Sequence, residues 1–465
     1  MSRDSTMSEL ISVVKRGNEE VKRSLNIDDA CIKTDQVVIP SRGKVGTFRE
    51  RDYYNRFIYG DNIDVIKALL KGDGCESMKG KIDLIYIDPP FLSKADYKAK
   101  VKLPLRDDTV TIEVFAYSDT WKGGNVSYLE MLYPRLVLMR ELLSERGSIY
   151  VHLDWRMVHY VKILMDEIFG EDMFLNEIVW SYKSGGVSKK YFSRKHDTIL
   201  LYSKTNNYIF NPQKEKSYNR GLKPYRFKGV KEYEDEIGWH TLVNMKDVWN
   251  VNMVGRTSKE RVGYDTQKPE KLLERMILSS TEEGSIVADF FAGSGTTAVV
   301  AENNNRKWVL SDLGSTSYLT IMKRLIDMNA DEFLVQRIEE TVFPKLGSLR
   351  MENFKKLKER NGEEIINIEF KGYDIDVGKI PIVEKYKDIV AEVIKENSLA
   401  LIDTISIDTD YDGKCFVNRW QDFRSLENLM ITDSVQLKLK ERDNRTICIK
   451  VVDVFGYHSE YILEV

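Results

Sequence analysis

The sequence predicts an α/β fold built on a largely parallel sheet, with a smaller β-rich unit toward the C-terminal end. Three observations carry this. Short apolar runs at 57–59, 82–87, 149–153, 286–290 and 308–310 read as buried strands. Between them lie helical patterns, such as Leu129, Leu132, Leu136, Met139 and Leu143, with apolar residues three and four apart. Strands alternating with helices argue for a parallel sheet covered on both faces. Past about 335 the pattern changes to short alternating runs at 434–439, 446–452 and 461–465, as half-buried strands require.

With 465 residues the chain is too long for one compact core, so two or three domains are expected. Residues 1–50 are polar, with a helix expected over 9–25 as a terminal arm. A short strand at 57–59 then leads through Gly60-Asp61 into a helix marked by Val65, Ile66, Leu69 and Leu70.

The next strand is the organising one: Ile82-Asp83-Leu84-Ile85-Tyr86-Ile87 runs straight into Asp88-Pro89-Pro90-Phe91. Neither proline can donate a ladder hydrogen bond, so pairing stops there. A carboxylate, a carbonyl and an aromatic ring are thereby gathered at a strand's carboxyl edge, where open α/β sheets bind ligands. Alternating runs at 97–103 and 110–115 predict a hairpin beside this turn, its lysine-rich arm read as a solvated face. Helices over 128–143 and 157–169 and strands at 149–153, 178–180 and 198–201 continue the sheet.

From 180 to 261 the periodicity fades. Between Ser181 and Lys231 stand thirteen Lys or Arg against two acids, in a chain whose net charge is −3. Aromatics including Tyr191, Phe192, Tyr208, Tyr225 and Phe227 are threaded through the same window. Basic groups neutralise phosphates and aromatic faces stack on bases, so a polyanionic partner is expected here.

The α/β pattern returns with helices at 271–279, 296–303 and 319–328. Between them Asp289-Phe290-Phe291-Ala292-Gly293-Ser294-Gly295-Thr296 forms a strand end, a glycine turn and a helix start. The third glycine of a dinucleotide fingerprint is absent, and no Gly-Lys-Ser/Thr of a P-loop follows. About twenty residues on, Asp312 ends the next strand, placed to accept hydrogen bonds from a ribose diol. The ligand implied carries a ribose and needs no pyrophosphate cradle, as with S-adenosylmethionine.

Asp-Pro-Pro-Phe at 88–91, Thr266-Gln267-Lys268-Pro269 and the FxGxG of 291–295 resemble the motifs of the amino-group DNA methyltransferases. Their order, catalytic motif first and cofactor motif last, resembles the β group, which includes adenine-modifying enzymes of restriction–modification systems. The resemblance covers roughly 55–330. It implies a circularly permuted, seven-stranded, Rossmann-like sheet that uses S-adenosylmethionine to methylate adenine N6 in double-stranded DNA by base flipping and direct in-line transfer. Asp88 and the Pro89 carbonyl, with Pro90 completing the turn, would accept hydrogens from the target amine, and Phe91 would stack on the base. Asp289, Phe290, Ala292, Gly293, Gly295 and Thr296 would lie along the cofactor and Asp312 would hold its ribose. Gln267, Lys268 and Pro269 would flank its methionine end, and Asp61 matches a further position near the cofactor. A leading Asp in the motif is commoner with adenine, and Ser with cytosine N4; a non-catalytic specificity subunit is the reading of another class.

On this basis the chain divides into an N-terminal arm (1–54), a catalytic half (55–180), a target-recognition region (181–262), a cofactor-binding half (263–334), a linker or helical segment (335–396) and a C-terminal β-rich domain (397–465). A restriction subunit or a second copy of the chain is the protein partner such a system admits. The polar start and the lack of a long apolar run lead us to expect a cytoplasmic protein with no membrane role. The four cysteines are far apart, and none of the five histidines has metal-binding spacing, so no disulfide framework or metal is expected. His152 and His159 read as structural.

Overall fold

The computed structural model describes residues 6–26, 30–49, 51–72, 74–93, 96–359 and 361–465. Its centre is an eleven-stranded sheet. Across the sheet the strands run Val248–Asn250, Phe174–Ser181, His196–Ser203, Leu143–Leu153, Ile82–Ile87, Ile286–Asp289, Lys307–Asp312, Asn55–Tyr59, Phe333–Ile338, Ile32–Val38 and Phe416–Asn418. Leu143–Leu153 through Phe333–Ile338 are mutually parallel. His196–Ser203 is antiparallel to both its neighbours. The expected seven-stranded sheet is the stretch from Phe174–Ser181 to Asn55–Tyr59, and four more strands extend its two edges.

The permutation is visible in the sheet. Ile82–Ile87 pairs directly with Ile286–Asp289, although some two hundred residues separate them and the strand ending in Asp88 comes first in the chain. Successive strand residues point to opposite faces. Ile85 and Ile87 accordingly enter one buried cluster with the helices Thr6–Asn26, Asn62–Lys71, Gly124–Leu142 and Val158–Phe169. Leu84 and Tyr86 enter the other, with the helices Glu270–Ser280, Thr296–Asn303 and Ser315–Asp327.

Two expectations about domains need correction. The N-terminal arm is part of the main body: Ile32–Val38 is a strand of the sheet, and the first helix packs on Gly124–Leu142. Gly17 makes that approach possible, since a Cβ there would stand 2.3 Å from the Tyr133 ring. The segment 181–262 is not one outgrowth, because His196–Ser203 and Val248–Asn250 return to the main sheet and the strands between them lie outside it. That outlying part builds a three-stranded sheet from Lys214–Tyr218, Trp239–Asn244 and Glu232–Glu234.

The segment 335–396, expected as a linker or helical segment, holds long strands as well as a helix. Ser348–Lys358 and Glu363–Asp374 form a long hairpin that pairs with Ser434–Lys440, and Glu384–Asn397 is a helix against it. Charged residues on the outer face hide the alternation of Ile366, Ile368 and Phe370 on the inner one. A four-stranded sheet of Trp420–Phe423, Ile402–Asp408, Thr446–Asp453 and His458–Glu464 completes this unit. The expected hairpin is Asp96–Leu105 with Asp108–Ser118, and its Leu103 and Ile112 are buried in the C-terminal core. Its tip is held there by the Glu396 carboxylate, which accepts from Arg106 N at 2.8 Å.

Candidate active site

A cavity of about 580 Å³ opens at the carboxyl edge between Ile82–Ile87 and Ile286–Asp289. Asp61, Asp88, Pro89, Pro90, Phe91, Lys268, Asp289, Phe290, Ala292, Gly293, Thr296 and Asp312 all border it. The two sequence signals therefore meet across one space.

The wall around Asp88 is braced from behind. Leu92 sits at φ +57, a left-handed conformation uncommon for a non-glycine residue. Asp119 holds it there, accepting from Leu92 N at 3.0 Å, Ser93 N at 2.7 Å and Trp121 Nε1 at 3.1 Å. Asp88 Oδ2 is paired with Lys268 Nζ, which also lies 5.4 Å over the Phe91 ring. Asp88 Oδ1 is buried with no hydrogen-bond partner. A buried acceptor left unsatisfied is costly, and such an atom beside a cavity is suited to a ligand donor.

His152 is drawn into the site against expectation. Ile87 pairs with Val151 in the adjacent strand, so the next residues out are Asp88 and His152. Its ring is fully buried, with Nδ1 3.8 Å from Asp88 Oδ1 and 2.9 Å from Tyr86 Oη. Burial holds Tyr86 well above the usual phenol range, reinforced by the charge of Asp88. Tyr86 Oη and Nδ1 share one hydrogen bond, and Nε2 faces Asp197 Oδ2 at 3.5 Å. Burial pushes the Asp197 carboxyl up, but His152, the Lys268 charge and the Tyr182 hydrogen bond together outweigh it and the group sits below the ordinary range. Trp180 closes the ring's other side edge-on at 5.3 Å, and Phe91 lies 5.7 Å away. A polar residue in an otherwise apolar strand, one step from the sheet's edge, is the signal that marks it.

The opposite wall is the glycine turn. Asp289 is almost fully buried, accepting from Thr297 Oγ1 at 2.6 Å and Phe291 N at 3.0 Å, and burial pushes its carboxyl up to about 7. Asp312 accepts from Gly293 N and Gly314 N at 2.8 Å each, and burial raises its carboxyl as well. Each carboxylate oxygen has two lone pairs, so Asp312 retains acceptor capacity toward the cavity. Gly293, at φ +51, makes the turn.

Three expected cofactor residues stand outside the cavity's lining. Gln267 spends its amide on its own loop, accepting from Val262 N at 3.0 Å and donating to the Glu260 carbonyl at 2.7 Å. Pro269 caps the helix Glu270–Ser280. Gly295, at φ +72, is needed because a Cβ would meet Ile321 Cγ1 at 2.7 Å. Lys268 itself borders the cavity, with its ammonium engaged by the Asp88 carboxylate.

Asp61 caps the helix Asn62–Lys71 by accepting from Ile63 N at 3.0 Å, and it pairs with Arg135 Nη2 at 2.8 Å. Asn62 and Arg135, which sequence reasoning missed, border the cavity too, and Asn62 Nδ2 donates to the Phe290 carbonyl at 2.9 Å. Around the cavity stand the carboxyl groups of Asp61, Asp88, Asp119, Asp289 and Asp312 against two basic groups, Arg135 and Lys268. That excess favours a cationic ligand and opposes a pyrophosphate.

The model of the DNA methylase family, the N6/N4 type, matches residues 82–324. A type II methyltransferase of Lactococcus lactis subsp. cremoris, M2.LlaDCHI, is 32% identical over 61% of this chain and 95% of its own length. DNA adenine methyltransferase YhdJ of Escherichia coli K12 is 27% identical over 61% of this chain and 90% of its own. The crystal structure of an M1.HpyAVI–SAM complex superposes with a TM-score of 0.38 and 17% identity, covering 58% of this chain and 98% of that one.

Proposed function

The chain belongs to the N6/N4 DNA methylase family, and from that premise we propose that it methylates adenine N6 in duplex DNA with S-adenosylmethionine as donor. The observation that carries the reading is the single cavity joining the buried, unpartnered Asp88 Oδ1 to the glycine turn. A second support is the leading Asp of the motif, together with the name of the adenine methyltransferase among its relatives.

S-Adenosylmethionine, when bound, supplies a methyl group on a positively charged sulfur that an amine lone pair can displace. The residues fit such a ligand: Asp312 offers a ribose acceptor, Gly293 permits close backbone approach, and the aspartates complement a cation. Asp289 acts through the turn, fixing Phe291 N and Thr297, and we place Gln267, Pro269 and Gly295 as supports of this wall.

A purine's exocyclic amine is a poor nucleophile because its lone pair is delocalised into the ring. Asp88 Oδ1 and the Pro89 carbonyl accept its two hydrogens and turn the lone pair toward the donor, a positioning and electrostatic effect. Lys268 orients the carboxylate through Oδ2, leaving Oδ1 to the amine. His152, held by Tyr86 and Asp197, backs that oxygen. Phe91 stacks on the base, recovering part of the few kcal/mol that flipping costs. The basic chain between Ser181 and Lys231 reads the flanking duplex, and a restriction subunit or a second copy acts beside it in a modification system.

Single-molecule sequencing of DNA from cells expressing the protein tests this. N6-methyladenine in one recurring sequence context is expected; N4-methylcytosine alone would replace the adenine reading with its cytosine counterpart.

A further inference from the structure

The loop 182–195 joins Phe174–Ser181 to His196–Ser203 and leaves the sheet at the same edge as Asp88. It carries Lys183, Lys189, Lys190, Arg194 and Lys195 and no acid. The loop is braced internally. Tyr182 N donates to the Lys195 carbonyl at 3.1 Å, Lys195 Nζ donates to the Gly185 carbonyl at 2.7 Å, and Ser188 N donates to Ser193 Oγ at 3.0 Å. The Arg194 guanidinium lies 3.6 Å over the Trp155 ring and anchors the loop to the adjoining strand's end.

On this braced loop the apolar groups face water. Phe192 is 99% exposed, Val187 90% and Tyr191 59%. Tyr191 meets the Arg194 guanidinium at 4.8 Å, but the side chains of Val187 and Phe192 stand in water away from the contacts that brace the loop, and a single exposed apolar residue is the ordinary case. Their surroundings are cationic, which suits a polyanion that also offers apolar stacking faces. The stem leads directly to the catalytic wall: Tyr182 Oη donates to Asp197 Oδ1 at 3.2 Å, and Asp197 faces His152.

We propose that Phe192 is a wedge that enters the base stack of duplex DNA beside the target and fills the place the flipped base vacates, with Lys189 and Lys190 on the flanking phosphates. Apolar side chains inserted between base steps are an established means of unstacking a duplex. The inference rests on the reading of the cavity as one that works on an extruded base. It adds the element that drives extrusion.

The test uses the full-length protein and two duplexes carrying the methylated sequence, one with the target base paired and one with it facing an abasic position. Methyl transfer to both is timed. Phe192→Ala is expected to raise the ratio of unpaired to paired rates about tenfold over the unaltered protein, since extrusion costs a few kcal/mol only when the base is paired. Phe192→Trp is expected to restore the ratio. An unchanged ratio in Phe192→Ala overturns the wedge while leaving the methylation reading intact. Absence of transfer by the unaltered protein, even to the unpaired target, overturns that reading and the wedge with it.

Discussion

Asp289 and Asp453 are two carboxyl groups that burial pushes up to about 7, and they lie in different domains. Both are bound by local donors. Asp453 accepts from Phe455 N at 2.9 Å, Tyr457 N at 3.0 Å and Tyr373 Oη at 3.0 Å, much as Asp289 accepts from Phe291 N and Thr297. The difference is what lies beside them. Asp289 borders the cavity shared by Asp88 and Asp312, whereas Asp453 is shut into the C-terminal unit at the Tyr373 hydroxyl. A perturbed acid is therefore not by itself a mark of catalysis; it becomes one where it opens onto space that other convergent groups also face.

The sharpest way to break this comparison is at Asp88. Asp88→Ala is expected to lower methyl transfer about a thousandfold, as removal of a transition-state hydrogen-bond partner does. The thermal unfolding midpoint should fall as well, because the substitution also strips the Lys268 ammonium of its Oδ2 partner. Next comes His152→Leu, with an expected 10- to 100-fold loss in kcat and little change in KM for the donor, since His152 acts on the carboxylate's placement. An equal loss in both parameters would make His152 a packing residue only. Asp312→Ala is expected to weaken donor binding by about 10- to 100-fold in titration calorimetry, the worth of hydrogen bonds to a charged group.

The smallest effect sharpens the comparison. A buried acid whose carboxyl is raised favours the folded state fully below the ordinary carboxyl range, and that contribution is lost as pH rises through about 7. Asn cannot ionise. The melting temperatures of Asp289→Asn and Asp453→Asn, each relative to the unaltered protein, should therefore rise together between about pH 4 and pH 8. Activity should separate them: Asp453→Asn keeps methyl transfer, and Asp289→Asn loses donor affinity.

The same contrast shows what could be read in the sequence. Strands ending at 87 and 289 were legible because apolar runs stop abruptly at prolines and glycines, and the helices because their apolar residues recur at three and four. His152 was not legible as a site residue, since its nearness to Asp88 comes from strand register, which only the folded sheet supplies. Asp119 and Arg135 act across loops and helices for the same reason. Ser348–Lys358 was hidden by its charged outer face, and the docking of Leu103 and Ile112 onto the C-terminal core is a tertiary pairing with no local signature.

The central claim is that the cavity between Asp88 and the glycine turn methylates an exocyclic amine. The most direct measurement incubates the purified protein with duplex DNA and methyl-labelled S-adenosylmethionine, then hydrolyses the DNA and identifies the labelled nucleoside by mass spectrometry. Label in N6-methyladenine, lost with Asp88→Ala, is the predicted result. Label in 5-methylcytosine, or undiminished labelling by Asp88→Ala, would contradict it.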